Sequence, residues 1–316
     1  MLSAALAFVG ALVYGSADFL GGLASRRLPA VLVTAVVASS GMVLLLALAP
    51  FVGGSPTADD LRWGALSGIV GSISVVLLYG CLAIGPMSVL SPVTAVVSAV
   101  APMLWGVLVG GERLGALSVI GLGLAIVAIV LVALLPGERI TRPSARGLAM
   151  AVGSGLAIGA FLIVLDQFSA DAGLLPLALG RAVNSVIMAG AVACLVALAV
   201  RAGRPARSAL ATRQRVVAVT ASGHVDAEPH HTALPLTARR AWTLALVCGL
   251  VDASANVLLV LALRTGGDLA VVAALTALYP AGTVVLAAVV LRERITALQW
   301  LGLALALAAG VLLAAA

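Results

Sequence analysis

The chain carries one passage twice. Glu112-Arg113-Leu114 opens a stretch running to Leu134, and Glu293-Arg294-Ile295 opens another running to Ala315, at a constant offset of 181 residues with no gap. About half of the aligned positions are identical, among them Ala116/Ala297, Leu117/Leu298, Gly121/Gly302, Leu122/Leu303 and Leu131/Leu312. At the same offset Gly85 falls on Gly266 and Leu82 on Leu263. A repeat of this length means that two similar units were joined, and it restricts the architecture more than any local motif does.

Both units are apolar. Hydrophobic residues make up 63% of the chain and charged residues 9%, whereas a soluble domain of this size carries about 25% charged residues to cover its surface. The apolar runs are about 20 residues long, enough to cross a hydrocarbon core of about 30 Å. Backbone polar groups find no water there, so runs without barrel alternation must be helices. Ten spans are predicted, approximately 2–20, 30–52, 63–83, 87–109, 116–135, 147–168, 174–200, 242–264, 268–291 and 296–315. The first is apolar from Leu2, with no basic segment ahead of it, and is expected to be a retained helix rather than a cleaved signal.

The breaks between spans are rich in residues that stop helices. Arg26-Arg27-Leu28-Pro29 follows the first, Gly53-Gly54-Ser55-Pro56 the second, and Gly85-Pro86 the third. The stretch 201–240 differs from the rest: it holds seven Arg, three His (His224, His230 and His231) and little periodicity. It is expected to be a solvated loop without ordered metal-ligand spacing. Cys81, Cys194 and Cys248 each sit alone in an apolar run and are expected to be small buried residues, with neither disulfide nor metal spacing.

All eighteen basic residues are Arg, and their distribution predicts orientation. Connections 1–2, 5–6, 7–8 and 9–10 carry fourteen; connections 2–3, 4–5 and 8–9 carry Arg62, Arg113 and Arg264; Arg181 lies inside a span. Basic loops stay in the cytoplasm, so both termini are expected to be extracytoplasmic and the loop 201–241 cytoplasmic. Five spans per unit is an odd number, so the second unit enters the membrane upside down. The expected fold is all-α integral membrane, with ten transmembrane helices as two inverted-topology five-helix repeats. The first repeat takes 1–135, a linker 136–146, and the second repeat 147–316.

The arrangement resembles the EamA-type transporters of the drug/metabolite transporter superfamily. The residues that carry the resemblance are Tyr14-Gly15-Ser16-Ala17-Asp18-Phe19, Gly110-Gly111-Glu112-Arg113-Leu114, Gly249-Leu250-Val251-Asp252-Ala253-Ser254-Ala255-Asn256, Leu278-Tyr279-Pro280 and Leu291-Arg292-Glu293-Arg294. The chain departs from many such proteins in its loop bias, and has Ala99 in the first repeat where the second has Pro280. The resemblance implies a carrier of small metabolites whose helices 1, 3, 4, 6, 8 and 9 surround a central cavity. It implies no particular substrate.

Ionisable residues inside spans cost about 2.5–3.5 kcal/mol each on insertion scales, so each is a functional candidate. Asp252 and Asn256 are four residues apart in the eighth span and share a helix face. Arg181 lies in the seventh span with Asn184 and Ser185 beside it, within reach of Asp252. The two can form a structural pair, and Asp252 can bind substrate or a coupling proton; both readings can hold together. Asp18 follows Tyr14 by one turn, and either pairs with Arg26 or Arg27 at the interface or lines a cavity. With Tyr79 and Tyr279 these are the expected substrate or coupling contacts: Asp18, Tyr14, Tyr79, Arg181, Asp252, Asn256 and Tyr279. Ser72, Ser74, Thr94, Ser98 and Thr283 are neutral polar groups that either line the cavity or bond neighbouring helices. Pro92, Pro102 and Pro280 free backbone carbonyls in the fourth and ninth spans.

Other features point to structure. Glu112-Arg113 and Glu293-Arg294 occupy equivalent corners and are expected to cap the following helix and anchor it at the headgroups. Asp166, Arg264 and Asp268 are expected to be interfacial. The pairs Gly64/Gly68, Gly106/Gly110 and Gly155/Gly159 predict close helix packing.

The predicted function is secondary transport of a small organic metabolite across a bacterial plasma membrane, with export the expected direction and proton coupling through Asp18 and Asp252. The lipid bilayer and the small molecule are the partners; a homodimer is compatible, and nucleic acid, cofactor and catalytic residues are not expected. No phosphate-cradling GxxxxGKS occurs, which argues against ATP-driven transport by this chain. The alternatives are a membrane-embedded enzyme or a non-transporting membrane subunit. Such an enzyme would need acidic clusters for Mg²⁺, and the adjacent acids are Asp59-Asp60, in a predicted loop.

Overall fold

The computed structural model describes residues 2–25, 27–84, 87–133, 144–203, 205, 237–290 and 297–315. The described residues form helices α1 (Leu2–Ser25), α2 (Ala30–Val52), α3 (Ala58–Ile84), α4 (Met87–Leu108), α5 (Ala116–Ala133), α6 (Ala145–Asp166) and α7 (Leu175–Arg201). They continue as α8 (Ala238–Arg264), α9 (Leu269–Thr276), α10 (Tyr279–Val290) and α11 (Ala297–Ala315). No strand occurs among the described residues. Six of the helices, α1, α2, α3, α6, α7 and α8, are long and apolar enough to cross a membrane. Their outward residues suit hydrocarbon, with Phe51 87% and Val186 72% exposed. The histidines of the 201–240 stretch, Arg26, the corner Glu293-Arg294 and the side chains of Tyr79 and Thr283 lie outside the described residues.

Two spans differ from their predicted form. The third helix starts at Ala58 rather than 63, so Asp59 and Asp60 occupy its first turn and not a loop. The cause is a reciprocal cap: Asp60 Oδ2 accepts from the Thr57 N–H at 2.8 Å, and Thr57 Oγ1 accepts from the Asp60 N–H at 3.1 Å. The ninth span is broken at Ala277 and Leu278 into α9 and α10. Pro280 has no N–H to continue the ladder onto Thr276, and the chain restarts its helix at Tyr279. The fourth span stays one helix although Pro92 and Pro102 lie in it.

Small residues set the packing. Methyl groups at Gly64 and Gly68 would collide with the backbone of Pro176 and Gly180, so α3 lies hard against α7. Gly155 and Gly159 face Thr94, Val97 and Pro102, seating α6 on α4. Gly106 and Gly110 do not follow the predicted scheme: the space over Gly106 is filled by the Glu112 carboxylate, and Gly110 faces its own helix. Cys248 is buried, its thiol donating to the Ala17 carbonyl at 3.1 Å, whereas Cys194 is exposed and not the buried residue expected. Cys194 sits on α7, whose far half has little protein packed over it.

The principal helix contacts are α1 on α8, α3 on α6, α4 on α6, α4 on α9, α1 on α9 and α10, α5 on α11, α2 on α7, α3 on α7 and α2 on α8. Exchanging α1 with α6, α2 with α7, α3 with α8, α4 with α9–α10 and α5 with α11 maps this list onto itself.

One face of the bundle is laced by polar contacts. Asp60 is 2% exposed and accepts from the Ser169 N–H at 2.7 Å and the Ser169 hydroxyl at 2.8 Å, tying the start of α3 to the α6–α7 turn. The Ser55 N–H donates to the Asp171 carbonyl at 2.7 Å. Arg264, at the end of α8, donates to the Gly173 carbonyl at 3.3 Å. The start of α3 and the end of α8 therefore reach the same turn. Glu112 does not cap α5, the role expected of it. Its two carboxylate oxygens accept from the Leu269 and Ala270 N–H groups at 2.6 and 3.1 Å, capping α9 from the other half of the chain. Gly111, at φ 70°, makes the turn that aims it there. Asp268 stands at the N-cap position but makes no side-chain cap of its own.

Candidate functional site

Between the helices lies a cavity of about 210 Å³. α1 contributes Tyr14 and Asp18, α7 contributes Arg181 and Asn184, and α8 contributes Asp252. The break between α9 and α10 brings Thr276, Ala277 and Tyr279 to the wall. Ser67 and Ser74 of α3 and Ser98 of α4 supply hydroxyls, while Ile158, Phe161 and Leu162 of α6 supply an apolar side.

Arg181 Nη2 is ion-paired with Asp252 Oδ2, and their side chains are 15% and 18% exposed. Neither charge could be left alone so far from water without a cost of several kcal/mol, and the pairing offsets it. Asn256 is fully buried and does not share the cavity with Asp252 as the i, i+4 spacing predicted. Its Nδ2 donates to the Asp252 carbonyl at 2.8 Å. That fixes the amide orientation, so Oδ1 accepts the Tyr14 hydroxyl at 2.5 Å. Asn256 thus holds Tyr14 from behind, because a local bond to its own helix competes with projection into space.

Of the seven predicted contacts, Tyr14, Asp18, Arg181, Asp252 and Tyr279 meet at the cavity. Asn256 sits behind it. Asp18 stands on the wall. Asp166 is exposed at the end of α6, away from the cavity. The neutral groups divide: Ser74 and Ser98 line the wall, Ser72 bonds its own helix at the Gly68 carbonyl, and Thr94 bonds both the Leu90 and Ala151 carbonyls, joining α4 to α6.

Helix α7 was not among the cavity helices that the resemblance implied, yet it supplies Arg181 and Asn184. Ser67 and Phe161 were also missed. Ser67 had a signal: it lies on the small-residue stripe Gly64, Gly68, Gly71 of α3, the face that meets α7. Phe161 had none, since an aromatic in an apolar run is ordinary. Among the described residues, no group of three or more His, Cys, Asp and Glu could hold a metal ion.

Apolar helices clad in lipid-compatible side chains, around a cavity with an ion pair in its wall, define a multi-pass integral membrane protein. The chain belongs to the EamA-like transporter family, whose sequence pattern matches residues 1–134 and 229–315, and so falls among the transporters of the drug/metabolite transporter superfamily. None of the curated proteins matches it. A solved crystal structure, described only as a protein, superposes with a TM-score of 0.67 at 15% identity, covering 98% of this chain and 95% of that one. At that identity the likeness is one of fold.

Proposed function

We propose that the chain is a secondary carrier that exports a small organic metabolite across a bacterial plasma membrane by alternating access. The observation that carries this reading is the cavity itself: its charged residues come from α1, α7 and α8, and so from both halves of the chain. On this reading residues 1–135 and 147–316 are two inverted repeats, joined by 136–146. The self-mapping contact list supports that, as do the start of α3 and the end of α8 converging on one turn, because α3 and α8 correspond at the offset of 181. A cavity at the interface of inverted repeats can alternate its access by rocking one half against the other. The loop count of arginines supports extracytoplasmic termini and a cytoplasmic 201–241 loop.

In this reading Arg181, Asp252 and Asp18 are the polar contacts for substrate, Tyr14 and Tyr279 flank them, and Asn256 positions Tyr14. Asp18 and Asp252 are the groups that can carry a coupling proton. The test is flux in proteoliposomes under imposed proton gradients, wild type against Asp252→Asn. Altered flux and an altered response to pH are expected; flux and pH response both unchanged would sink the coupling role.

A further inference from the structure

The polar contacts on the face where α3 begins join the two halves of the chain, and we infer that they form a latch: they seal one end of the cavity and must part for that end to open. The inference rests on reading the chain as a carrier and assigns that carrier one of its gates.

Three sets of bonds cross from the first half to the second. Asp60 accepts from the Ser169 N–H and hydroxyl at 2.7 and 2.8 Å. The Ser55 N–H donates to the Asp171 carbonyl at 2.7 Å. Glu112 accepts from the Leu269 and Ala270 N–H groups at 2.6 and 3.1 Å. The α2–α3 and α6–α7 turns also touch at their backbones, where a Cβ on Gly54 would lie 2.6 Å from the Gly173 Cα. Two of the helices involved run from this network to the cavity wall. Asp60 precedes the wall residue Ser67 by seven residues of α3, and Leu269 precedes the wall residue Thr276 by seven residues of α9. In each case that is about 10 Å of helix. The network therefore lies beyond the cavity at one end, across the line where the halves meet.

The chemistry suits a contact that is made and broken. Water can satisfy every group in it, so parting the halves at the membrane surface exchanges protein bonds for water bonds and strands nothing. The fold does not require these bonds. At the offset of 181 Asp60 corresponds to Ala241, at the start of α8. That is the opposite end of α8 from Arg264, which reaches the Gly173 carbonyl on the latch face. Ala241 packs with Ala24, Leu28, Val33 and Ala245 in an apolar cluster. The same position in the repeat is thus hydrogen-bonded on one face and apolar on the other.

Access to the cavity from each face is the readout. A Cβ at Gly71 meets only Asn184 Nδ2 at 3.6 Å and Phe161 Cδ2 at 3.9 Å, so Gly71→Cys seats a thiol in the cavity. With Cys81, Cys194 and Cys248 replaced, its rate of reaction with a membrane-impermeant methanethiosulfonate is measured in intact cells and in inside-out vesicles. Asp59→Cys, exposed in the first turn of α3, shows separately which preparation reaches the latch face. From that face Asp60→Asn and Glu112→Ala should each speed labelling of the cavity thiol about tenfold. From the opposite face neither should speed it. Gly121→Ala, which crowds Leu313 between α5 and α11, is a destabilised control and should leave both rates unchanged. Equal rates in the latch variants and their parent, or acceleration from both faces, overturn the latch. If Asp60→Asn does not fold, Glu112→Ala or Ser169→Ala decides. A cavity thiol that reacts from neither face in any variant overturns the latch and counts against the carrier. One that reacts only from the opposite face, at a rate that the latch variants do not change, overturns the latch and spares the carrier.

Discussion

Arg181 on α7 and Asp252 on α8 form an ion pair in the wall of the central cavity. The main neighbours of α7 are α2 and α3, and those of α8 are α1 and α2. The pair therefore joins two helices through their side chains. Because both groups are mostly removed from water, Arg181→Gln should lower stability by about 1–3 kcal/mol by stranding the Asp252 charge. The double variant Arg181→Gln/Asp252→Asn should be less destabilised than the sum of the single changes. Thermal unfolding in detergent measures both, and simple additivity would show that the pair is not coupled.

Glu112 caps α9 through two N–H bonds at 2.6 and 3.1 Å. Glu112→Ala removes a cap and a charge that complements the helix dipole, and should cost about 1–2 kcal/mol. Glu112→Gln should recover part of this, since its single amide oxygen can still accept one of the two bonds. Unfolding midpoints of the two variants, compared at equal detergent concentration, check the ranking.

A methyl at Gly68 would lie 2.8 Å from Val183 Cβ and closer still to the Gly180 carbonyl, whereas one at Gly190 meets nothing within 4 Å. Gly68→Ala should force α3 off α7 and destabilise by about 1–3 kcal/mol. Gly190→Ala, on an open helix face, should be neutral or stabilise by up to about 1 kcal/mol. Equal melting of the two variants would contradict the close approach.

Asp60 accepts four bonds, from the N–H and hydroxyl of Thr57 at 2.8 and 2.7 Å and from those of Ser169 at 2.7 and 2.8 Å. Asp60→Asn keeps the shape but turns one acceptor into a donor that faces other donors. A loss of about 2–3 kcal/mol is expected. Limited proteolysis at the 167–174 turn should accelerate with it.

Orientation is separable from all of these. With Cys81, Cys194 and Cys248 replaced, a single cysteine placed within 201–240 should resist a membrane-impermeant thiol reagent in intact cells and react once the cells are opened. Labelling from outside intact cells would reverse the orientation proposed from the arginine count.

The ranges of most helices were legible in the chain, because an apolar run in lipid has one way to satisfy its backbone. The break at Ala277 and Leu278 was legible in part: Pro280 announced a lost hydrogen bond but not where the helix would restart. The start of α3 was missed, since Thr57 and Asp60 read as polar loop residues until their reciprocal bonds are seen. In the site, Tyr14, Asp18, Arg181, Asp252 and Tyr279 were found because ionisable and phenolic groups are rare and costly in such helices. Asn184 and Ser67 are cheaper to bury and so were less conspicuous.

By itself the sequence determined that this is a helical membrane protein with a repeated half, a property of hydropathy and self-similarity that needs no contacts to read. Tertiary structure alone decided several of the polar meetings. Asn256 turned onto Tyr14 instead of the cavity, Glu112 capped α9 instead of α5, and α7 joined the wall. Each outcome depends on how far one helix is rotated and how closely it approaches another. Those quantities are set where glycines let backbones touch, as Gly68 does at Gly180 and Gly249 at Val37, and no local pattern along the chain records them.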